Sequence, residues 1–316
     1  MVYLELIAGF ALLAAGGDFL VRGAVAVARR IGVSELMIGL TLVGFGTSTP
    51  ELVASVEAAL VGSPGIALGN VVGSTVANSW LILGVGALIA PIRMGRAAFA
   101  RDGPVLVGAA LLMAATCQLA EIGRGIGAGF LLLLLGYTVW IYRTEQQARG
   151  APLPAEAGLI GPAEGGLGKG LLLALAGLVG VLAGATLLVD AALAIARLWG
   201  LSEAVIGVTL VAIGTALPEL ATMLASAGHR RADVGFGNVI GSNLFNILGI
   251  TGTAALVRPL AVPAEVAQLH VWIMLGSTGV LVWFALTGWR ISRPEGAALV
   301  LAYAAYIVVS LAGPMT

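Results

Sequence analysis

The sequence predicts an all-α membrane protein of ten spanning helices arranged as two inverted five-helix repeats. Three observations predict it. Of 316 residues, 59% are hydrophobic and only 10% are charged, against roughly 25% charged in an ordinary soluble domain. Ten apolar stretches approach the roughly 20 residues that cross a bilayer core as a helix. The two halves of the chain also repeat each other at a constant offset of 168 residues. The alternating pattern of a barrel strand is absent, and helices are the remaining way to satisfy the backbone in lipid. Sixteen basic residues balance sixteen acidic ones, so there is no basic excess for nucleic acid. A cytosolic enzyme is excluded by the shortage of surface charge. The single cysteine, Cys117, excludes an internal disulfide framework and a cysteine zinc site.

The first stretch, 2–27, lacks a basic n-region and a small-residue cleavage site, and so reads as a retained helix. Asp18 and Arg22 within it are spaced to pair at i,i+4. Stretches 33–60 and 65–89 carry the polar motifs treated below. Ser34 and Glu35 open the former as cap and dipole complement. Stretches 103–121 and 125–144 are apolar, with Cys117 as packing and Trp140 and Tyr142 as interface anchors. A polar segment follows, with Arg149, Pro152, Pro154, Glu156, Pro162 and Glu164. Residues 1–147 form the first repeat, 148–167 a cytoplasmic linker and 168–316 the second repeat. The second repeat spans 168–196, 202–227, 233–257, 266–288 and 294–313. Asp190 stands at the position of Arg22, and Ser202 with Glu203 at that of Ser34 with Glu35. Trp199, Trp289 and Tyr303 are further interface anchors. Five spans per half place the second repeat upside down relative to the first, as in secondary transporters. With the N-terminus outside, twelve Lys and Arg fall on the inner side and three on the outer. The positive-inside rule then places both termini outside.

Residues 34–55, SELMIGLTLVGFGTSTPELVAS, match 202–223, SEAVIGVTLVAIGTALPELATM, at twelve of 22 positions. GNVVGSTVAN at 69–78 matches GNVIGSNLFN at 237–246. Pro50 and Pro218 remove a backbone N–H and obstruct the carbonyls of Gly46 and Gly214, so both helices should break there. Such a break is tolerated only where backbone is buried or lines a cavity. Freed carbonyls, hydroxyls, amides and carboxylates are hard oxygen ligands, suited to Na+ or Ca2+. Glu51 and Glu219 sit midway along their spans without a basic residue in either helix. A buried carboxylate there costs at least a few kcal/mol unless paired. A cation or a proton is the simplest partner, and two carboxylates match one Ca2+. Ser74 with Asn78, and Ser242 with Asn246, lie four apart on one helix face. The GxxxG pairs, Gly69 with Gly73 and Gly237 with Gly241, read as packing ridges. Glu57 lies towards the outer surface, where it either attracts cations or is simply solvated. His229 and His270, near helix ends, suggest no metal site.

At these paired motifs the sequence resembles the sodium/calcium exchangers of the cation/calcium antiporter superfamily, over nearly the whole chain. The resemblance implies that the second, third, seventh and eighth helices enclose four cation positions in a diamond. It implies that Glu51 and Glu219 bind Ca2+ and share Na+ sites. Thr47 and Thr215 would add oxygens, Ser74 and Ser242 would complete flanking Na+ sites, and the carbonyls of Gly44 and Ala212 would join them. Asn78 and Asn246 would border the middle position, and Ser48 belongs to the same set. The first and sixth helices would form a sliding gate. Two departures stand out. Asn246 occupies a position where prokaryotic exchangers often carry Asp, and potassium-dependent ones tend to. Ala216 replaces the Ser expected after Thr215. The expected activity is Na+/Ca2+ antiport by alternating access, in a monomer in a prokaryotic plasma membrane, with no cofactor and no enzymatic chemistry. An H+/Ca2+ antiporter of the same fold is the alternative, and a cation channel a remote one.

Overall fold

A computed structural model of the chain describes residues 2–32, 35–148, 166–198, 212–229 and 232–312. Ser202, Glu203 and Trp199 lie outside the described residues, as does Ser34. In the first half, α1 is Val2–Ile31, α2 Glu35–Ile38, α3 Gly44–Thr47, α4 Thr49–Leu60, α5 Pro64–Val76, α6 Leu83–Ile89, α7 Arg96–Thr116 and α8 Arg124–Ala148. In the second, α9 is Leu167–Leu198, α10 Ala212–Thr215, α11 Leu217–Gly228, α12 Ala232–Leu244, α13 Thr251–Val257, α14 Val271–Gly288 and α15 Arg293–Ala312. Wide π-helical turns occupy Gly39–Val43, Ala77–Ile82, Phe245–Ile250 and Val266–His270.

The repeat is kept residue for residue around the polar motifs. Adding 168 to the bounds of α3, α4, α5, the Ala77–Ile82 turn and α6 returns the bounds of α10, α11, α12, the Phe245–Ile250 turn and α13. Four short strands tie the halves together: β1 Ile92–Arg93, β2 Glu121–Ile122, β3 Leu260–Ala261 and β4 Arg290–Ile291. β1 pairs antiparallel with β4, and β2 with β3. Each pair therefore joins one repeat to the other.

Seven uninterrupted helices among the described residues are long and apolar enough to cross a membrane. The expected span 33–60 is not one of them, because its helix is interrupted between α3 and α4. The break falls at Ser48, whose ψ of 13° leaves the helical region. Pro50 enters the first turn of α4, where its missing N–H costs nothing. The described part of span 202–227 breaks at the matching place, Ala216, with Pro218 in the first turn of α11.

Long helices α1 and α9 pack backbone to backbone. A Cβ on Gly177 would lie 2.2 Å from the Leu20 nitrogen, and one on Gly23 2.3 Å from that of Ala174. Side chains on α8 and α14, among them Leu132, Leu135, Trp283 and Leu286, are exposed, as lipid-facing positions should be. Val234 through Ile240, by contrast, are all buried. The motif helices thus form the centre, and α8 and α14 the periphery.

Of the GxxxG ridges, Gly241 shows the close approach in full. A Cβ there would lie 2.0 Å from the Leu40 carbonyl oxygen. In the other repeat Gly73 matches Gly241, but the position matching Leu40 is Val208, outside the described residues. Asp18 and Arg22 pair at 3.3 Å as spaced, and Asp18 also meets His229 at the end of α11. Cys117 is buried, Tyr303 is buried rather than at an interface, and Glu57 is exposed.

Candidate cation-binding site

The broken helices aim their first turns at the middle of the molecule. Glu51 lies in the first turn of α4 and Glu219 in that of α11. The positive end of each half-helix dipole favours a carboxylate at that place. Glu51 is 1% exposed and Glu219 0%. They lie within electrostatic reach of each other, and no Lys, Arg or His among the described residues pairs with either. The Oε2 atoms of both are buried without a hydrogen-bond partner.

Around them the structure gathers most of the expected oxygens. Ser48 Oγ donates to Glu219 Oε1 at 2.8 Å, across the two repeats. Ser242 Oγ lies 3.3 Å from the same oxygen and 3.1 Å from the Gly44 carbonyl. That carbonyl also accepts Thr47 Oγ1 at 3.4 Å and the Ser48 amide at 3.2 Å. Gly44, Thr47, Ser48, Glu219 and Ser242 therefore form one cluster built from both halves. The Gly46 carbonyl, which Pro50 deprives of its helical partner, takes a backbone N–H at the cap instead. Asn78 and Asn246 are buried on the two matching π turns, a distortion common at functional sites. Asn78 Oδ1 and both amide atoms of Asn246 have no partner. Ser74 is buried, but its Oγ donates to Asn70 Oδ1 at 3.4 Å. Thr215 is half-buried in α10. Ala212 opens α10, and its side chain is not among those described.

Five polar residues of the centre were not singled out from the sequence. Asn70 Nδ2 donates to the Glu51 carbonyl at 3.1 Å and to Ser55 Oγ at 2.9 Å. Asn238 Oδ1 accepts Thr47 Oγ1 at 3.2 Å, and its Nδ2 is buried without a partner. Asn243 Nδ2 donates to Ser79 Oγ at 3.0 Å. A signal for the first pair was present. Asn70 and Asn238 are the same residue of the two G-N-V motifs.

Such a set offers carboxylate, hydroxyl, amide and carbonyl oxygens and no nitrogen or sulfur cluster. Among the described residues no group of three or more His, Cys, Asp or Glu gathers in one place. Oxygen donors of this kind suit hard cations.

The family model described as sodium/calcium exchanger protein matches residues 1–143 and 169–312. The chain belongs to the sodium/calcium exchanger family. The sodium/calcium exchanger MaX1 of Methanosarcina acetivorans is 32% identical, over 97% of each chain. The putative antiporter CaxA of Alkalimonas amylolytica is 34% identical, over 94% of this chain and 95% of that one. Among solved structures, the sodium-calcium exchanger NCX_Mj soaked with zero Na+ and Ca2+ superposes with a TM-score of 0.84 at 31% identity. That match covers 98% of this exchanger and 100% of the solved chain. The all-α exchanger architecture expected from the sequence is thereby established.

Proposed function

We propose that Glu51 and Glu219 are the ligands that Na+ and Ca2+ share in this Na+/Ca2+ antiporter. The observation that carries the reading is a pair of buried carboxylates, each with an unpartnered oxygen and, among the described residues, neither with a basic partner. Together they supply a charge of −2, which one Ca2+ neutralises. The other ligands come from Thr47, Ser48, Thr215, Ser74, Ser242, Asn78 and Asn246, and from the carbonyls of Gly44 and Ala212. Both ions need the same oxygens, so they bind alternately. Carboxylates left unneutralised in mid-membrane cost several kcal/mol. The loaded states therefore cross and the unloaded state does not, which makes exchange obligatory. The smooth glycine-lined contact between α1 and α9 supports sliding of that pair as the gate, because little side-chain interdigitation opposes it.

The reading extends to ten spans, two of them broken, with 1–147 and 168–316 as inverted repeats and 148–167 on the cytoplasmic side. Both termini lie outside a prokaryotic plasma membrane. The protein works as a monomer, surrounded by lipid, without enzymatic chemistry or a bound cofactor.

Radioactive Ca2+ uptake into proteoliposomes tests it, with Na+, K+ and H+ gradients compared. A Na+ gradient should drive uptake with the pH gradient collapsed. Glu51→Gln and Glu219→Gln should each abolish it. Uptake that persists unchanged in both variants would sink the site assignment, and uptake driven by protons alone would favour H+/Ca2+ antiport.

A further inference from the structure

A contact away from the cation site ties the gate helix α1 to α11. Asp18 lies on α1, and His229 caps the C-terminal end of α11. His229 Nε2–H donates to Asp18 Oδ1, and Arg22 Nη1 donates to Asp18 Oδ2 at 3.3 Å. A neutral imidazole makes the first bond, and an imidazolium adds charge to it. The surfaces beside it are smooth and apolar. A Cβ on Gly17 would lie 2.9 Å from the Ala221 carbonyl oxygen, and Val21 and Val25 pack with Ala225 and Val234. Apolar contacts are non-directional and do not fix how far one helix has slid past another. The Asp18–His229 bond is directional and does.

The path from Glu219 towards that end of α11 is shut in the same structure. Met223 and Ser226 lie four and seven residues beyond Glu219, on its helix face. Met223 is buried between α6 and α12: a Cβ on Gly86 would lie 2.7 Å from its sulfur, and one on Gly235 3.0 Å. Ser226 is fully buried, and its Oγ has no hydrogen-bond partner. Such a hydroxyl is costly, and a state in which water reaches it removes the cost. Arg230 and Arg231 follow His229, which places this end on the cytoplasmic side. The 168-residue offset relates Asp18 to Thr186 and His229 to Val61. Thr186 Oγ1 donates to the Leu182 carbonyl of its own helix at 3.0 Å, and Val61 is apolar and exposed. The related pair therefore has neither acid nor base.

We infer that Asp18 and His229 form a latch that holds α1 against α11 while the cytoplasmic path is closed. Arg22 steadies the carboxylate, and Thr186 with Val61 provides no such latch on the outer side. The inference rests on the reading of α1 and α9 as the gate and of both termini as outside. Sliding of α1 parts the bond, so the latch stabilises the inner-closed state alone and shifts the balance of the two states towards it.

Ser226→Cys, made with Cys117→Ala in the full chain, puts a thiol on the closed path. A membrane-impermeant maleimide applied to the cytoplasmic face of proteoliposomes then reports its opening. Asp18→Ala and His229→Ala should each speed labelling about three- to ten-fold. The double variant should match the single ones, because the two residues act as one contact. His229→Gln, which keeps an N–H donor, should label as slowly as the parent. A second readout needs no introduced thiol. In both alanine variants the half-saturating Ca2+ concentration should fall at the cytoplasmic face and rise at the outer face, since a shift between two states moves the two apparent affinities in opposite directions. Unchanged labelling in both alanine variants would overturn the latch. So would additive effects of the two alanines, or half-saturation displaced the same way at both faces, which marks a damaged site. Faster labelling from the outer face alone would keep the latch and overturn the placement of the termini. The shared-ligand assignment is tested separately, and fails only if Glu51→Gln and Glu219→Gln transport normally.

Discussion

Gly241→Ala should disable the exchanger although it adds one methyl group and removes no ligand. The added Cβ would lie 2.0 Å from the Leu40 carbonyl oxygen, 2.6 Å from its carbon and 2.7 Å from its Cα. These are backbone atoms of the Gly39–Val43 turn, which cannot swing aside as a side chain can. Ordinary contact at 3.4 Å requires α12 and that turn to separate by about 1.4 Å. Ser242 follows Gly241 directly, and its Oγ reaches the Gly44 carbonyl at 3.1 Å. The same separation would stretch that contact to about 4.5 Å, beyond hydrogen-bonding distance. A 1 Å misplacement of positioned groups can cost about 100-fold in rate. Overpacking should also destabilise the fold by about 1–3 kcal/mol. The assay is Na+-driven Ca2+ uptake per mole of reconstituted protein, beside a thermal melt in detergent. Gly108→Ala is the control, since nothing lies within 4 Å of a Cβ added there. Gly241→Ala transport within two-fold of Gly108→Ala would refute the reasoning.

Other perturbations separate ligand, support and periphery. Asn70→Ala leaves the Glu51 carbonyl and Ser55 without their donor; a loss of about 1–3 kcal/mol should appear in denaturant unfolding. Asp102 is fully buried between Arg101, at 2.7 Å, and the Tyr137 hydroxyl, at 3.0 Å. Asp102→Ala should cost about 3 kcal/mol, because it takes the carboxylate away from a mostly buried guanidinium, and the thermal melt would show it. Arg22→Ala breaks a pair whose Arg side chain is 59% exposed, and stability should change by less than about 1 kcal/mol. A melt of Arg22→Ala as depressed as that of Asp102→Ala would contradict the burial argument.

How much was legible in the sequence follows from the range of each interaction. The broken helices could be read because a proline acts on its own turn, and Pro50 and Pro218 break the chain within two residues of where they stand. The breaks at Ser48 and Ala216 also explain why 33–60, and the described part of 202–227, are not single long helices. Glu51 and Glu219 could be read because an unpaired acid in an apolar run is costly wherever the run packs. The repeat could be read because self-similarity needs no coordinates.

Partnership across the repeats could not be read. Ser48 and Glu219 are 171 positions apart, and Thr47 and Asn238 are 191 apart. No local pattern says which hydroxyl meets which acceptor. The sequence alone therefore determined the membrane class, the duplicated architecture, the two breaks and the two central acids, since composition, periodicity and proline chemistry act locally. Only the tertiary structure decided that Ser48 meets Glu219 across the repeats. Which oxygen receives a hydroxyl depends on how two half-helices from opposite repeats cross, and in that crossing Ser48 has a carboxylate to hold while Ala216 has nothing to offer.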